Sequence, residues 1–421
     1  PDPNNLYLNT VTTGTNEVAF ITAPVGSILN GSSSGPNVLG GNTLLFARDN
    51  IGAAGNRITT EVGNLEAQST TGSTWIDNNG NLAIGGTLIS SSAIGLHSGG
   101  SATITASSPI TIKKSTVTGD SFLAVAVNDT GADDLVVSAL DLNGDPLFIK
   151  AVNNITLIAG DNLTVQGPTT GAPLGALLQA GGAIVLKGGT SADTHGNPAP
   201  DTDHSLATIT VAGTVMAPTI EIDGGPDKDV IQTTGTLSAA FPWNAGTWPF
   251  ATVGVSFPAS PSTASQITIN GGGSDDQILV WGNVSARETD INGGDGNDII
   301  TLNPANTSGN TLAISGRVVV KGGAGEDYIT VNRLNTLDLA HKGSASRDTV
   351  DIDGEGGSGW SSTVSRATTG STATTTAASL PSTVARATTS SRSARSSARS
   401  AMRPPSPPVT RSRRFSLPRD T

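Results

Sequence analysis

From residue 37 to residue 220 the chain is a succession of short runs in which apolar and polar residues alternate, each closed by Gly, Asn, Asp or Pro. Thr43-Leu44-Leu45-Phe46-Ala47, Ser101-Ala102-Thr103-Ile104-Thr105, Ile155-Thr156-Leu157-Ile158 and Ala183-Ile184-Val185-Leu186 are examples. A period of two marks strands with one buried face. Comparable strand-turn units return roughly every 20 to 30 residues. That period belongs to solenoids, where each unit hides its apolar face only by stacking on its neighbour. No segment sustains a 3.6-residue apolar period, so helix content should be close to nil. The pattern predicts an all-β chain: an elongated parallel β-solenoid, or β-helix, with Gly- and Asp-rich turns. Coils of roughly 20 to 25 residues would give about 14 of them.

Composition favours this fold over its main competitor. Aromatics make up only 4% of the 421 residues and Gly accounts for 52. An array of immunoglobulin-type sandwiches would want a large aromatic in each core. Thin layers of Val, Ile, Leu and Ala suit stacked strands, while Gly and Asn disfavour helix.

There is no Cys, which excludes disulfides, thiolate metal sites and cysteine nucleophiles. No run of 18 apolar residues is present, so no transmembrane helix is expected. The opening Pro1-Asp2-Pro3 has no basic-then-apolar leader after it and reads as the start of an internal fragment. Ten of the 23 basic residues and one of the 34 acidic ones lie beyond Gly356, which leaves 13 basic against 33 acidic before it, a net of −20. So acidic a body repels nucleic acid and attracts cations.

The sharpest motif lies in the second half. Gly293-Gly294-Asp295-Gly296-Asn297-Asp298-Ile299-Ile300 and Gly322-Gly323-Ala324-Gly325-Glu326-Asp327-Tyr328-Ile329 both read G-G-x-G-x-D-x-U, with U apolar. Three partial copies accompany them, centred on Asp276, Asp229 and Asp348. Gly-Asp-rich Gly131-Ala132-Asp133-Asp134-Leu135 reads as a sixth, decayed copy. Glycines let such a turn take positive φ and aim carbonyls at a shared point. The aspartate adds a hard anionic oxygen of the kind calcium prefers. The apolar residue two positions on re-enters the strand toward the core.

These turns resemble the calcium-binding repeats of the RTX (repeats-in-toxin) family. The resemblance implies calcium as the bound ion, held through Gly293, Gly294, Asp295, Gly296, Asp298, Gly322, Gly323, Gly325 and Asp327, with Asp276, Asp229 and Asp348 as weaker ligands. The spacing departs from that family. RTX rolls repeat every nine residues, whereas the motif aspartates at 229, 276, 298, 327 and 348 lie one solenoid coil apart. The competing reading is of tight Gly-Asp turns that bind nothing. In the first half, Asn50-Ile51-Gly52-Ala53-Ala54-Gly55-Asn56-Arg57-Ile58 and Trp75-Ile76-Asp77-Asn78-Asn79-Gly80-Asn81-Leu82-Ala83-Ile84-Gly85 resemble repeats of large filamentous-haemagglutinin-like bacterial surface adhesins.

Other candidates are weaker. Asp193, His195, Asp201, Asp203 and His204 share a Pro-containing loop where a transition metal could bind. Asp141-Leu142-Asn143-Gly144-Asp145 begins like an EF-hand loop but lacks the later Glu, which favours an ordinary turn. Phe241-Pro242-Trp243-Asn244-Ala245-Gly246-Thr247-Trp248-Pro249-Phe250 gathers four aromatics in an insertion spanning about 233–265, either a sugar- or partner-binding platform or a cover for a coil edge.

Three segments follow: adhesin-type solenoid repeats over 1–220, a solenoid with calcium turns over 221–356, and a Ser/Thr/Arg-rich tail over 357–421. The tail carries too little apolar area to offset its chain entropy and is expected to be disordered. Its abrupt onset after Asp353-Gly354-Glu355-Gly356-Gly357 also reads as a frameshift. Function is expected to be that of a calcium-binding structural or adhesive segment of a large secreted or cell-surface bacterial protein. Cell-surface glycans or other matrix proteins are the expected partners, with no nucleic acid. A β-helical polysaccharide-active enzyme and a passive spacer are the alternatives. Enzymatic activity is not expected, because the acids sit in turns and no nucleophile has a base in reach.

Overall fold

The computed structural model describes residues 4–86, 94–107, 109–127, 132–190, 206–239, 265–302, 312–332, 334–335, 338–342, 349–353 and 373–376. The Pro-containing metal-loop candidates, the Phe241–Phe250 aromatics, Asp348 and most of the tail lie outside them. The chain divides into two units, 1–379 and 380–421, and the described residues belong to the first.

Among the described residues there is no helix, and all but two strands belong to one 32-stranded sheet in which the pairings between coils are parallel. This is the predicted β-solenoid. Most coils contribute three strands, each paired to the equivalent strand of the coils before and after. One coil is Thr74–Asn78, Leu82–Ile84 and Ile94–Ser98; the next is Ala102–Ala106, Ile110–Ile112 and Ser115–Thr118.

The alternation read from the sequence becomes columns along the axis. On the first face Ile104, Ala124, Leu157, Leu186, Ile222, Ile269, Ile291 and Val320 stand in register, all within 1% of complete burial. On the second face Leu82, Ile110, Leu135, Leu163, Ile209, Ile231, Ile278, Ile300 and Ile329 stand in register too, all within 2% of complete burial. Each Val, Leu or Ile in these columns stabilises the stack by about 1.5–3 kcal/mol through burial. The residues between them, such as Thr103, Thr156, Thr301 and Thr330, are only partly buried and point outward.

Coil length is uneven. Successive partners are as near in sequence as Ile58 and Ile76, 18 residues apart, and as far as Ile220 and Ile267, 47 apart. Register survives because the extra residues fall between strands in the sequence, where a longer connection adds little entropy cost.

Candidate metal centre in the stacked glycine-aspartate turns

The second face carries the motif. Its inward aliphatic residue is the U of each copy, so the aspartate two positions earlier falls at the corner where the chain enters that strand. Register places Asp229, Asp276, Asp298 and Asp327 one above another, each within 2% of complete burial. Partial and full copies are therefore alike in position. Strand pairing of Thr349 with Tyr328 continues the register beyond them, although Asp348 itself lies outside the described residues.

Each carboxylate bridges coils. The Asp229 amide donates to Asp276 Oδ1 (2.7 Å), the Asp276 amide to Asp298 Oδ1 (2.8 Å), and the Asp298 amide to Asp327 Oδ1 (3.0 Å). Below them the Ala207 amide donates to Asp229 Oδ1 (3.0 Å). The result is a ladder in which every rung satisfies a backbone donor that the corner would otherwise bury unpaired.

The glycines make room for it. The second Gly of each copy holds φ between +114° and +119° (Gly225, Gly272, Gly294, Gly323), and Gly296 and Gly325 stand at +133° and +138°. At the position of Gly296, the partial copy has Ser274, which takes φ +69° as a non-glycine. Crowding demands glycine as well as φ does: a Cβ on Gly294 would sit 2.0 Å from the Gly272 carbonyl oxygen.

The first glycine has a different neighbour. A Cβ on Gly293 would meet Asp298 Oδ2 at 2.2 Å and the Gly322 carbonyl oxygen at 2.3 Å. Gly271 repeats this with Asp276 Oδ2 (2.5 Å) and Gly293 O (2.4 Å), and Gly224 with Asp229 Oδ2 (2.7 Å) and Gly271 O (2.5 Å). In each coil a carboxylate oxygen and the next coil's carbonyl thus face one small space. Oδ2 of Asp229, Asp276 and Asp298 is buried without a hydrogen-bond partner, an arrangement that is costly for a charged group.

Electrostatics follow. Burial pushes the Asp229 carboxyl up to about 8, Asp276 to about 7 and Asp298 to about 6. The amide each accepts opposes that shift, while neighbouring carboxylates add to it. Among those neighbours are Asp227, Asp275 and Asp295 at the turn tips. Asp295, expected as a ligand, is exposed and stands outside the column. A rim of exposed residues stacks beside it: the Asn297 amide donates to Asp275 Oδ1 (2.7 Å) and the Glu326 amide to Asn297 Oδ1 (2.9 Å).

The column extends into the first half. The Asp133 amide donates to Asp161 Oδ2 (3.0 Å), with Leu135 and Leu163 in register just beyond. The decayed copy at Asp133 therefore occupies the same line as the full motifs. Asp161 was legible only as a turn residue, yet Gly160-Asp161-Asn162-Leu163 has the same Asp-x-aliphatic spacing that marks the others. Asp141 is elsewhere: its Oδ1 accepts the amides of Asn143 and Asp145 (2.8 and 2.9 Å), which closes a tight turn through Gly144. Comparison with known proteins leaves the site to be read from its own geometry: no family model matches the chain, and neither does any curated protein or solved structure.

Proposed function

We propose that the chain is a calcium-stabilised structural and adhesive segment of a larger secreted or cell-surface protein. The observation that carries the reading is the row of buried, unpartnered Oδ2 atoms of Asp229, Asp276 and Asp298, each facing a glycine carbonyl. A hard cation that prefers oxygen ligands would neutralise them. Among the described residues no three carboxylate or imidazole side chains meet at one point. A calcium ion here would therefore draw on the column's aspartates and fill its shell with backbone carbonyls and water. The same burial argues for a non-enzymatic role, because a substrate cannot reach carboxylates within 2% of complete burial.

The test is the thermal unfolding of the full chain in chelator and in millimolar calcium, with magnesium as the control for charge alone. Calcium should raise the melting temperature, since an ion that binds only the folded form stabilises it by about 2.7 kcal/mol per site at a hundredfold excess over Kd. An unmoved melting curve would remove calcium from the proposal.

A further inference from the structure

A different corner of the solenoid, between its second and third faces, is stripped of side chains. Register pairs Val211 with Thr233 and Thr233 with Val280 before the corner, and Thr214 with Thr236 and Thr236 with Asn283 after it. Gly213, Gly235 and Gly282 consequently stand one above another. A Cβ on Gly235 would lie 1.9 Å from the Gly213 carbonyl oxygen, and one on Gly282 1.8 Å from that of Gly235. The floor is bare backbone over three coils, roughly 10 Å at the usual strand spacing of about 4.8 Å.

The walls differ in chemistry. Thr234 and Trp281 rise on one side; Thr236 and Asn283 rise on the other. Pro173 and Leu174 close one end, and the Thr214 hydroxyl holds that loop by donating to the Leu174 carbonyl (2.8 Å). A cavity of about 200 Å3 lies between them. Trp281 is 46% exposed, one of few large apolar side chains left so open in this part of the chain. Among the described residues no charged side chain lines the trough, although the first 356 residues carry a net charge of −20.

Side-chain hydroxyls, a side-chain amide and one indole, without charge, are the complement of a neutral sugar. Its C–H face packs on an aromatic ring while its hydroxyls exchange hydrogen bonds with small polar groups. A peptide strand would instead seek an unpaired sheet edge, and the strands flanking this corner are paired with the coils on either side. We propose that the glycine-floored trough binds a neutral oligosaccharide, about two rings long, with Trp281 as its stacking platform and Thr234, Thr236 and Asn283 as its polar contacts. The inference rests on the adhesive part of the function proposed above and not on calcium.

Maltose, cellobiose, lactose and N,N′-diacetylchitobiose, with digalacturonic acid as the charged control, can be titrated into the full chain in calcium and in chelator. Intrinsic tryptophan fluorescence and saturation-transfer NMR report binding. At least one neutral disaccharide should bind saturably, Trp281→Ala should weaken it about tenfold or more, and Trp281→Phe should retain part of the affinity. Asn283→Ala should give a smaller loss, and circular dichroism should be unchanged in all three variants. Absence of neutral-sugar binding, equal binding by Trp281→Ala, or preference for digalacturonic acid would overturn the proposal. Calcium is read by melting and the sugar by titration, so either can fail alone.

Discussion

Asp229, Asp276 and Asp298 each do two things with their two oxygens. Oδ1 accepts a backbone amide from the preceding coil, and Oδ2 faces a glycine carbonyl. The first role survives neutralisation; the second is unfavourable for a bare charge. Because burial raises the Asp229, Asp276 and Asp298 carboxyls to about 8, 7 and 6, the folded chain holds more protons than the unfolded one between about pH 4 and pH 8. Stability from these groups is fully present below pH 4 and declines as pH rises through the folded values. In chelator the melting temperature should therefore fall from pH 5 to pH 8, and saturating calcium should flatten that slope. Asp298→Asn keeps the acceptor and removes the charge, so it should melt higher than the parent in chelator at pH 8 while losing part of the calcium shift. Asp298→Ala also orphans the Asp276 amide and should cost about 1–3 kcal/mol. An asparagine variant with an undiminished calcium response would show that Asp298 holds no ion. Gly294→Ala should be severely destabilising, whereas Gly80→Ala, with φ +90° but open space around it, should cost only about 1 kcal/mol.

Within a strand, what counts is which side a residue faces. Ile278 and Ile300 stand fully buried in one aliphatic column, so truncation of either to Ala should cost about 2–5 kcal/mol. Thr301, next to Ile300 but outward, should change stability by less than about 0.5 kcal/mol when replaced by Ala. Urea unfolding of the three variants checks the contrast, and equal losses would contradict the assigned facing. Between elements, Lys114 Nζ meets Glu66 Oε1 at 2.6 Å, with both side chains buried and two coils apart. Gly85 and Gly95 leave the space through which the lysine passes: a Cβ on either would come within 2.8 Å of its side chain. Lys114→Met alone should cost about 3–5 kcal/mol by stranding the carboxylate, and adding Glu66→Gln should recover much of that loss.

Across the described molecule the three faces share one register, but only part of it carries the full motif. Calcium should therefore act locally. Hydrogen exchange should slow at the amides of Asp229, Asp276 and Asp298 when calcium is added and stay unchanged at Ile104 and Leu157. Uniform protection along the stack would mean that the ion acts on the whole solenoid and not on this corner. Far-ultraviolet circular dichroism should show β-structure, with helix well below a fifth of the residues.

The fold class was legible in the sequence because its signals are local. Thr103-Ile104-Thr105 or Ile155-Thr156-Leu157 alternates in any context, and a repeat near 20 to 30 residues leaves few architectures besides a solenoid. Gly293-Gly294 and Asp298 also announced a turn that aims oxygens inward, because positive φ and a short acidic side chain are properties of single residues. The motif aspartates were legible as one coil apart, but what meets across the coils was not: gaps of 22, 29 and 47 residues hide that each carboxylate accepts the amide of the coil before it. Stacking alone decided that Asp161 joins Asp133 on their line, that Asp295 stands outside it, and that Lys114 reaches Glu66 across an intervening coil. Stacking likewise set Gly213, Gly235 and Gly282 beneath Trp281. The physical reason is common to all four. A solenoid's long-range contacts depend on register between coils, and register is set by the summed packing of many aliphatic residues, not by any one motif.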